Sequence, residues 1–238
     1  MIKQPISAFS HHPRGVLGIF VLQAFAGMGY ALLYILIVLY SSRVLGLTDH
    51  RAYLVSSTFN ALVFAYAILG GYLAGRFLGY RFAIGVSFVL ATLAMLILAV
   101  SSRVALYWGL SFFVVAVGML VPCLFVVLGR LYQKDDPRRF SGFILAYIGM
   151  NVGGFVSESL AGSLSHAWGY RLTFLFGAIA MLCGLIFFMF YRSVFSVQGA
   201  YTGFDNRRPE AIKRSRLSGL CFLGVSLPVT ALSFHAAF

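Results

Sequence analysis

The sequence predicts an all-α polytopic membrane protein, a bundle of six bilayer-spanning helices followed by one further apolar helix. Three observations predict it. Of its 238 residues 61% are hydrophobic and 10% are charged, and the mean hydropathy is +0.91; a water-soluble domain of this size cannot hide so much apolar surface. The apolar residues come in runs of about 18 or more, enough for a helix to cross a hydrocarbon core of ~30 Å with its backbone hydrogen bonds satisfied internally. Finally, the positive charge collects on alternate loops.

The first span, 15–40, is too long for a cleavable signal, and Gln23 is its one strongly polar side chain. It also carries Tyr30 and Tyr34. The second, 53–74, holds Asn60 and Tyr66 and ends in small residues, Gly70, Gly71 and Ala74, with Gly75 just beyond. The third runs over 82–100 and the fourth over 104–128. The fifth, 142–167, contains Gly149, Gly153 and Gly154, and the sixth covers 172–191. A weaker seventh runs over 217–238. Small residues at such intervals let helix backbones approach closely where lipid offers no hydrophobic drive, so they predict a compact bundle and say nothing of function.

Orientation follows from Lys and Arg, which cytoplasmic loops hold in excess. Fourteen of the 18 lie in the N-terminal tail or in the second, fourth and sixth connections, leaving Arg43, Arg51, Arg103 and Arg171 on the other side. The N-terminus is therefore expected in the cytoplasm. The expected organisation is a tail (1–14), a six-helix bundle (15–191), a basic linker (192–216) and an additional helix (217–238). The net charge of +12 is spread over helix ends rather than massed on one face, which fits topology and anionic headgroups and argues against nucleic acid.

Polar groups inside the spans carry what functional signal there is, because a lipid-facing one is costly. Tyr147, Asn151 and Glu158 are spaced four and seven apart, which puts them on one helical face. For Tyr147 and Asn151, interhelical hydrogen bonding and ligand contact stand side by side. Glu158 is the one acid within a span; it reads either as a proton- or cation-handling group or as a protonated or interface-snorkelling acid. Gln23 reads as helix glue or as a ligand. Cys123, Cys183 and Cys221 lack paired spacing and read as small core hydrophobes. There is no nucleophile elbow, no H-E-x-x-H, no Cys-x-x-Cys and no phosphate-cradling glycine loop, so neither an enzyme, nor a cofactor, nor a metal centre is expected. Asp135 and Asp136 precede Pro137 in a basic loop, where a turn and a salt bridge account for them.

Several stretches resemble the N-terminal half of a proton-dependent oligopeptide transporter, a branch of the major facilitator superfamily. Residues 38–49, followed by Ala61-Leu-Val-Phe64 and Gly70-Gly-Tyr-Leu-Ala-Gly-Arg-Phe-Leu-Gly79, resemble the end of that family's helix 1, its helix 2 and the loop after it. Gly129-Arg-Leu-Tyr-Gln-Lys-Asp-Asp-Pro-Arg-Arg139 resembles the cytoplasmic loop after helix 4. Tyr147-Ile-Gly-Met-Asn-Val-Gly153 resembles the helix 5 signature F-Y-x-x-I-N-x-G. The order and spacing of these segments together are more specific than any one of them.

The resemblance implies the first six-helix half of a fold in which two halves enclose a substrate near the midplane. It implies short peptides as substrate, a site over Tyr30, Tyr34, Asn60, Tyr147 and Asn151, and the bacterial inner membrane as location. The departures are as informative. The family's helix 1 motif E-x-x-E-R-F is matched by Gln23, Ala26, Gly27 and Met28, and its helix 4 lysine by Val121. The loop aspartate is matched by Gly75 and the helix 2 tyrosine by Phe64, while Tyr30, Asn151, Pro122, Arg76 and Arg138 are retained. Losing buried acids and cations together avoids stranding either one, so a neutral, aromatic cavity is expected, with normal proton coupling absent and Gln23 inactive at the acid position. Glu158 matches no family residue and is the remaining candidate for proton handling. Covering the cavity then calls for a second half-transporter or a homodimer; the other reading is a non-transporting remnant or membrane interaction subunit.

Overall fold

In the computed structural model, residues 12–197 and 209–236 are described, and they form helices joined by short turns. α1 is Arg14–Arg43, α2 Asp49–Leu73, α3 Tyr80–Leu98, α4 Arg103–Arg130, α5 Arg139–Val197 and α6 Pro209–Ala236. The described residues contain no strand. Among the described residues, six helices are long and apolar enough to cross a membrane. One of them is two spans in disguise. At 59 residues α5 would be about 89 Å long if straight, but Gly169 breaks it with φ of 78°, a left-handed conformation that glycine adopts without steric cost. The first arm, 139–168, lies along α1 with Gly149 against Phe20 and Gly153 against Ala24; the second arm turns back, so that Gly177 meets Leu32 and Tyr191 meets Gly18. The expected fifth and sixth spans are these arms, and the loop between them shrinks to the glycine.

Each helix end has a local cause. α2 finishes in a π-helical turn, Ala74–Leu78, closed by Gly79 at φ 78° with its N–H bonded to the Ala74 carbonyl at 2.7 Å. α4 starts at Ser102, whose hydroxyl accepts from the Ala105 N–H at 3.0 Å. Between α4 and α5, the Asp136 carboxylate accepts from the Arg138 backbone N–H at 2.9 Å and pairs with its guanidinium at 2.8 Å.

The seams are built on glycine. A methyl group on Gly27, Gly149 or Gly153 would strike the backbone carbonyls of Met150, Phe20 or Ala24, so α1 and the first arm of α5 touch main chain to main chain. α2 and α4 do the same: a Cβ on Gly70 would lie 2.7 Å from Met119 Cα and one on Gly118 2.6 Å from Tyr66 Cβ. Pro122 removes the donor that the Gly118 carbonyl would have used in a regular helix, and that carbonyl is the one abutting Gly70. The stripe is not uniform, since Gly71 and Gly154 stand at ordinary distances from their neighbours. α4 is enclosed by α1, α2, α3 and α6. Tyr40 ties α1 to α3 by donating to the Leu98 carbonyl at 3.1 Å. Tyr66 ties α2 to α6 by donating to the Ser226 carbonyl at 3.4 Å.

Two expectations are revised. The linker expected over 192–216 is helical at both ends, because α5 runs to Val197 and α6 begins at Pro209; its middle, with Arg207 and Arg208, lies outside the described residues, as do residues 1–11 with Lys3. Of the cysteines, Cys123 is buried, but Cys183 and Cys221 are exposed. An apolar run inside a bilayer-spanning helix does not imply burial, because lipid is as apolar as the core.

Candidate functional site

The predicted site residues fall into two groups. On α1 and α2 the Tyr30 hydroxyl donates to Asn60 Oδ1 at 2.9 Å, and Asn60 Nδ2 donates back to the Ser56 carbonyl at 3.0 Å. Asn60 is thus oriented by its own helix to present its carbonyl oxygen to the tyrosine. Tyr34, one turn beyond Tyr30, stacks on it with centroids 6.0 Å apart, and Phe59 stacks on the other side at 6.0 Å. Tyr30 and Asn60 are half-buried and Tyr34 is exposed. The second group lies on the first arm of α5, where Asn151 Nδ2 donates to the Tyr147 carbonyl at 2.8 Å, which leaves its Oδ1 available. Tyr147 and Asn151 are exposed, as is Glu158 on the same face. The first arm continues to the break at Gly169, so Glu158 lies about three turns from its end, deeper than a span ending at 167 implies.

The glycine seam sets the relative height of the groups. Gly27 lies against Met150, and a Cβ on Gly154 would meet the Ala31 Cβ at 3.6 Å, which brings the Asn151 turn level with the turn of α1 that carries Tyr30. Aromatic residues flank both groups on the exposed surface, Tyr53 and Phe64 on α2 and Phe155 on α5. Sequence reasoning missed Tyr53 and Phe155, because an aromatic side chain in a membrane helix does not report which way it faces. Gln23 is elsewhere. It is fully buried, and neither atom of its amide has a hydrogen-bond partner. Tyr66, another polar candidate, is occupied with α6.

At the end of the bundle where the N-terminal segment lies, His12 Nδ1 and the Tyr132 hydroxyl share a hydrogen bond of 2.7 Å, next to the Asp136–Arg138 pair. Burial pushes the Tyr132 phenol up to about 12, with Asp136 adding and Arg138 opposing. Burial also lowers the His12 imidazole, helped by Arg138 and opposed by Asp136. The Arg138 guanidinium and N–H hold the Asp136 carboxyl below its usual range. This loop is an electrostatically closed turn. Among the described residues no three His, Cys, Asp or Glu side chains are grouped to hold a metal.

A bundle of apolar helices with glycine-sealed seams between α1 and the first arm of α5 and between α2 and α4, presenting a polar and aromatic face, fits the architecture of a membrane transporter half. The Major Facilitator Superfamily model matches residues 19–236, and the chain belongs to that family. It is 34% identical over 194 residues to the uncharacterized transporter YclF of Bacillus subtilis, covering 79% of this chain and 39% of that one. It is 32% identical over 192 residues to a di-/tripeptide transporter of Lactococcus lactis, covering 77% and 39%. Among solved structures, a peptide transporter in complex with alafosfalin superposes with a TM-score of 0.79 at 26% identity, over 94% of this chain and 47% of that one. The chain thus spans less than half the length of these relatives, as one half of a two-half transporter would.

Proposed function

We propose that residues 15–191 form the N-terminal half of a transporter for short peptides or comparable small solutes, seated in a bacterial inner membrane with a cytoplasmic N-terminus. Residues 192–216 act as the linker and 217–238 as an additional helix. Tyr30, Tyr34, Asn60, Tyr147 and Asn151 form the wall that faces the substrate. A second six-helix half, in the same polypeptide or in another, covers that wall. The observation that carries this reading is the outward-facing amide and tyrosine chemistry at one height on α1, α2 and α5. Exposed to hydrocarbon, such groups are poorly solvated, and against a second half they line a path. The wall has no charge to match the two charged ends of a peptide, and amide and hydroxyl groups hold the peptide backbone instead.

Proton coupling of the usual kind is lost. Gln23 stands at the acid position, enclosed and uncharged, and Val121 replaces the helix 4 lysine. Glu158 is the remaining carboxyl on the exposed face. Uptake of a labelled dipeptide into proteoliposomes containing this chain and a matching second half, with and without a pH gradient, tests the reading. Saturable uptake that Asn60→Ala and Asn151→Ala abolish, at equal rates with and without the gradient, is expected. Gradient-driven accumulation that Glu158→Gln abolishes would overturn the uncoupled reading, and uptake indifferent to both asparagines would overturn the wall. Cross-linking through cysteines placed beside Tyr147 decides between a second half and a homodimer.

A further inference from the structure

A cavity of about 680 Å³ lies where α3, the second arm of α5 and α6 meet, away from every residue of the proposed wall. Three helices each bring one cation to it: Arg81 at the start of α3, Arg192 near the end of α5 and Arg216 early in α6. Val86, Leu90 and Phe188 give it an apolar lining. From Arg81 to Leu90 is nine residues of helix, about 14 Å, close to the depth of one leaflet in a hydrocarbon core of ~30 Å. The cavity therefore has a cationic head and an apolar tail on the scale of one leaflet.

Its origin is the way α6 is placed. That helix packs mainly against α4, α2 and the π turn, and Ser215 Oγ donates to the Phe77 carbonyl at 3.0 Å. A gap is left between α6 and the pair formed by α3 and the second arm of α5. In that gap the Arg216 guanidinium carbon lies 5.0 Å from the Phe82 ring centroid, and its buried Nε has no hydrogen-bond partner. A buried charged donor without an acceptor is costly, and an anionic oxygen would relieve it. Gly85 keeps the apolar wall open, since a Cβ there would meet nothing nearer than Phe188 Cε1 at 3.6 Å.

We propose that this cavity binds one anionic phospholipid. The phosphate is held by Arg81, Arg192 and Arg216, and an acyl chain lies along the apolar wall and seals α6 to the bundle. Basic pockets between membrane helices recognise anionic headgroups in this way. The inference requires a membrane-embedded chain and does not depend on what the chain transports.

Native mass spectrometry of the full chain in mild detergent, with equal dioleoyl-phosphatidylglycerol and dioleoyl-phosphatidylcholine, tests it. The two lipids share acyl chains and differ in net charge. Retention of one phosphatidylglycerol is expected, weakened roughly tenfold to a hundredfold in the R81Q/R192Q/R216Q variant. The R43Q/R51Q/R171Q variant, with the same loss of charge at the other end of the bundle, should change it less than about twofold. The charge-preserving R81K/R192K/R216K variant should keep the preference, which separates lost binding from lost folding. Gly85→Leu, which fills the apolar part, should weaken phosphatidylglycerol while leaving short-chain dihexanoyl-phosphatidylglycerol unaffected. Equal weakening by both glutamine triples, equal retention of the two lipids, or displacement by millimolar inorganic phosphate would overturn the proposal; the last would mark a site for a free anion.

Discussion

α4 and α2 are neighbours with similar length and opposite fates. In its most apolar stretch α4 has 67% of its residues buried, while α2 with its π turn has 22%. Both are apolar enough to cross a membrane. The difference lies in position: α4 is surrounded by other helices, whereas α2 packs on one side and leaves Tyr53, Phe64, Ile68 and Tyr72 outward. Where the surroundings are lipid, an apolar side chain does not report which way it faces. The informative side chains are those lipid tolerates poorly, and α2 carries one of them, Asn60, turned toward Tyr30.

The contrast can be broken most sharply at phenylalanines. Phe113 on α4 is fully buried with its centroid 6.2 Å from Phe59, while Phe64 on α2 is 71% exposed. Phe113→Ala should lower bundle stability by about 3–5 kcal/mol, and Phe64→Ala by less than about 0.5 kcal/mol, both read as thermal unfolding in mild detergent. Equal losses would mean that α2 is as enclosed as α4. Next in size is the seam between the two helices. Gly118→Leu forces a Cβ to within 2.6 Å of Tyr66 Cβ and should cost about 1–3 kcal/mol, whereas Gly224→Leu on α6, with nothing within 4 Å, should be nearly silent.

Smaller still is the polar contact joining α1 to α2. Tyr30→Phe removes its 2.9 Å donation to Asn60 and should cost about 0.6 kcal/mol, the average for such bonds within membranes. A much larger loss would show that the pair holds the bundle together rather than waiting for a ligand. The smallest effect lies beyond the end of α4, at the His12–Tyr132 contact. The folded state lowers the His12 pKa from 6.5, so the unfolded chain binds the proton more readily and stability falls as pH drops below about 6.5. His12→Gln should remove that part of the difference between unfolding at pH 8 and pH 5, and an unchanged difference would show that this imidazole does not carry it, since Asp136, whose carboxyl is held below its usual range, stays ionised at both pH values.

The membrane spans, the short connections and the family were legible because they depend on composition along the chain. Lengths of apolar run are fixed by bilayer thickness, and the motifs around Gly70, Arg138 and Asn151 survive in order. The pairing of Tyr30 with Asn60 was not legible. Both were candidates, but their contact spans 30 residues and two helices. The glycines were visible as small residues, yet only the structure separates Gly153, whose missing side chain lets two backbones touch, from Gly154 beside it. Cys183 and Cys221 were misjudged for the same reason that Phe155 was missed.

By itself, then, the sequence determined that this chain crosses a membrane several times as helices, because a backbone in hydrocarbon has few ways to satisfy its hydrogen bonds. It also carried the resemblance by which Gln23, Ala26 and Val121 are expected to stand where the related family places acids and a lysine. Tertiary structure alone decided which apolar faces meet protein and which meet lipid. It broke the long α5 at Gly169 so that both arms pack along α1, enclosed Gln23 while exposing Glu158, and left an arginine-headed gap beside α6. The physical reason is that inside a bilayer helices choose partners by close packing rather than by escape from water, and close packing depends on shape in three dimensions, which an apolar sequence does not spell out.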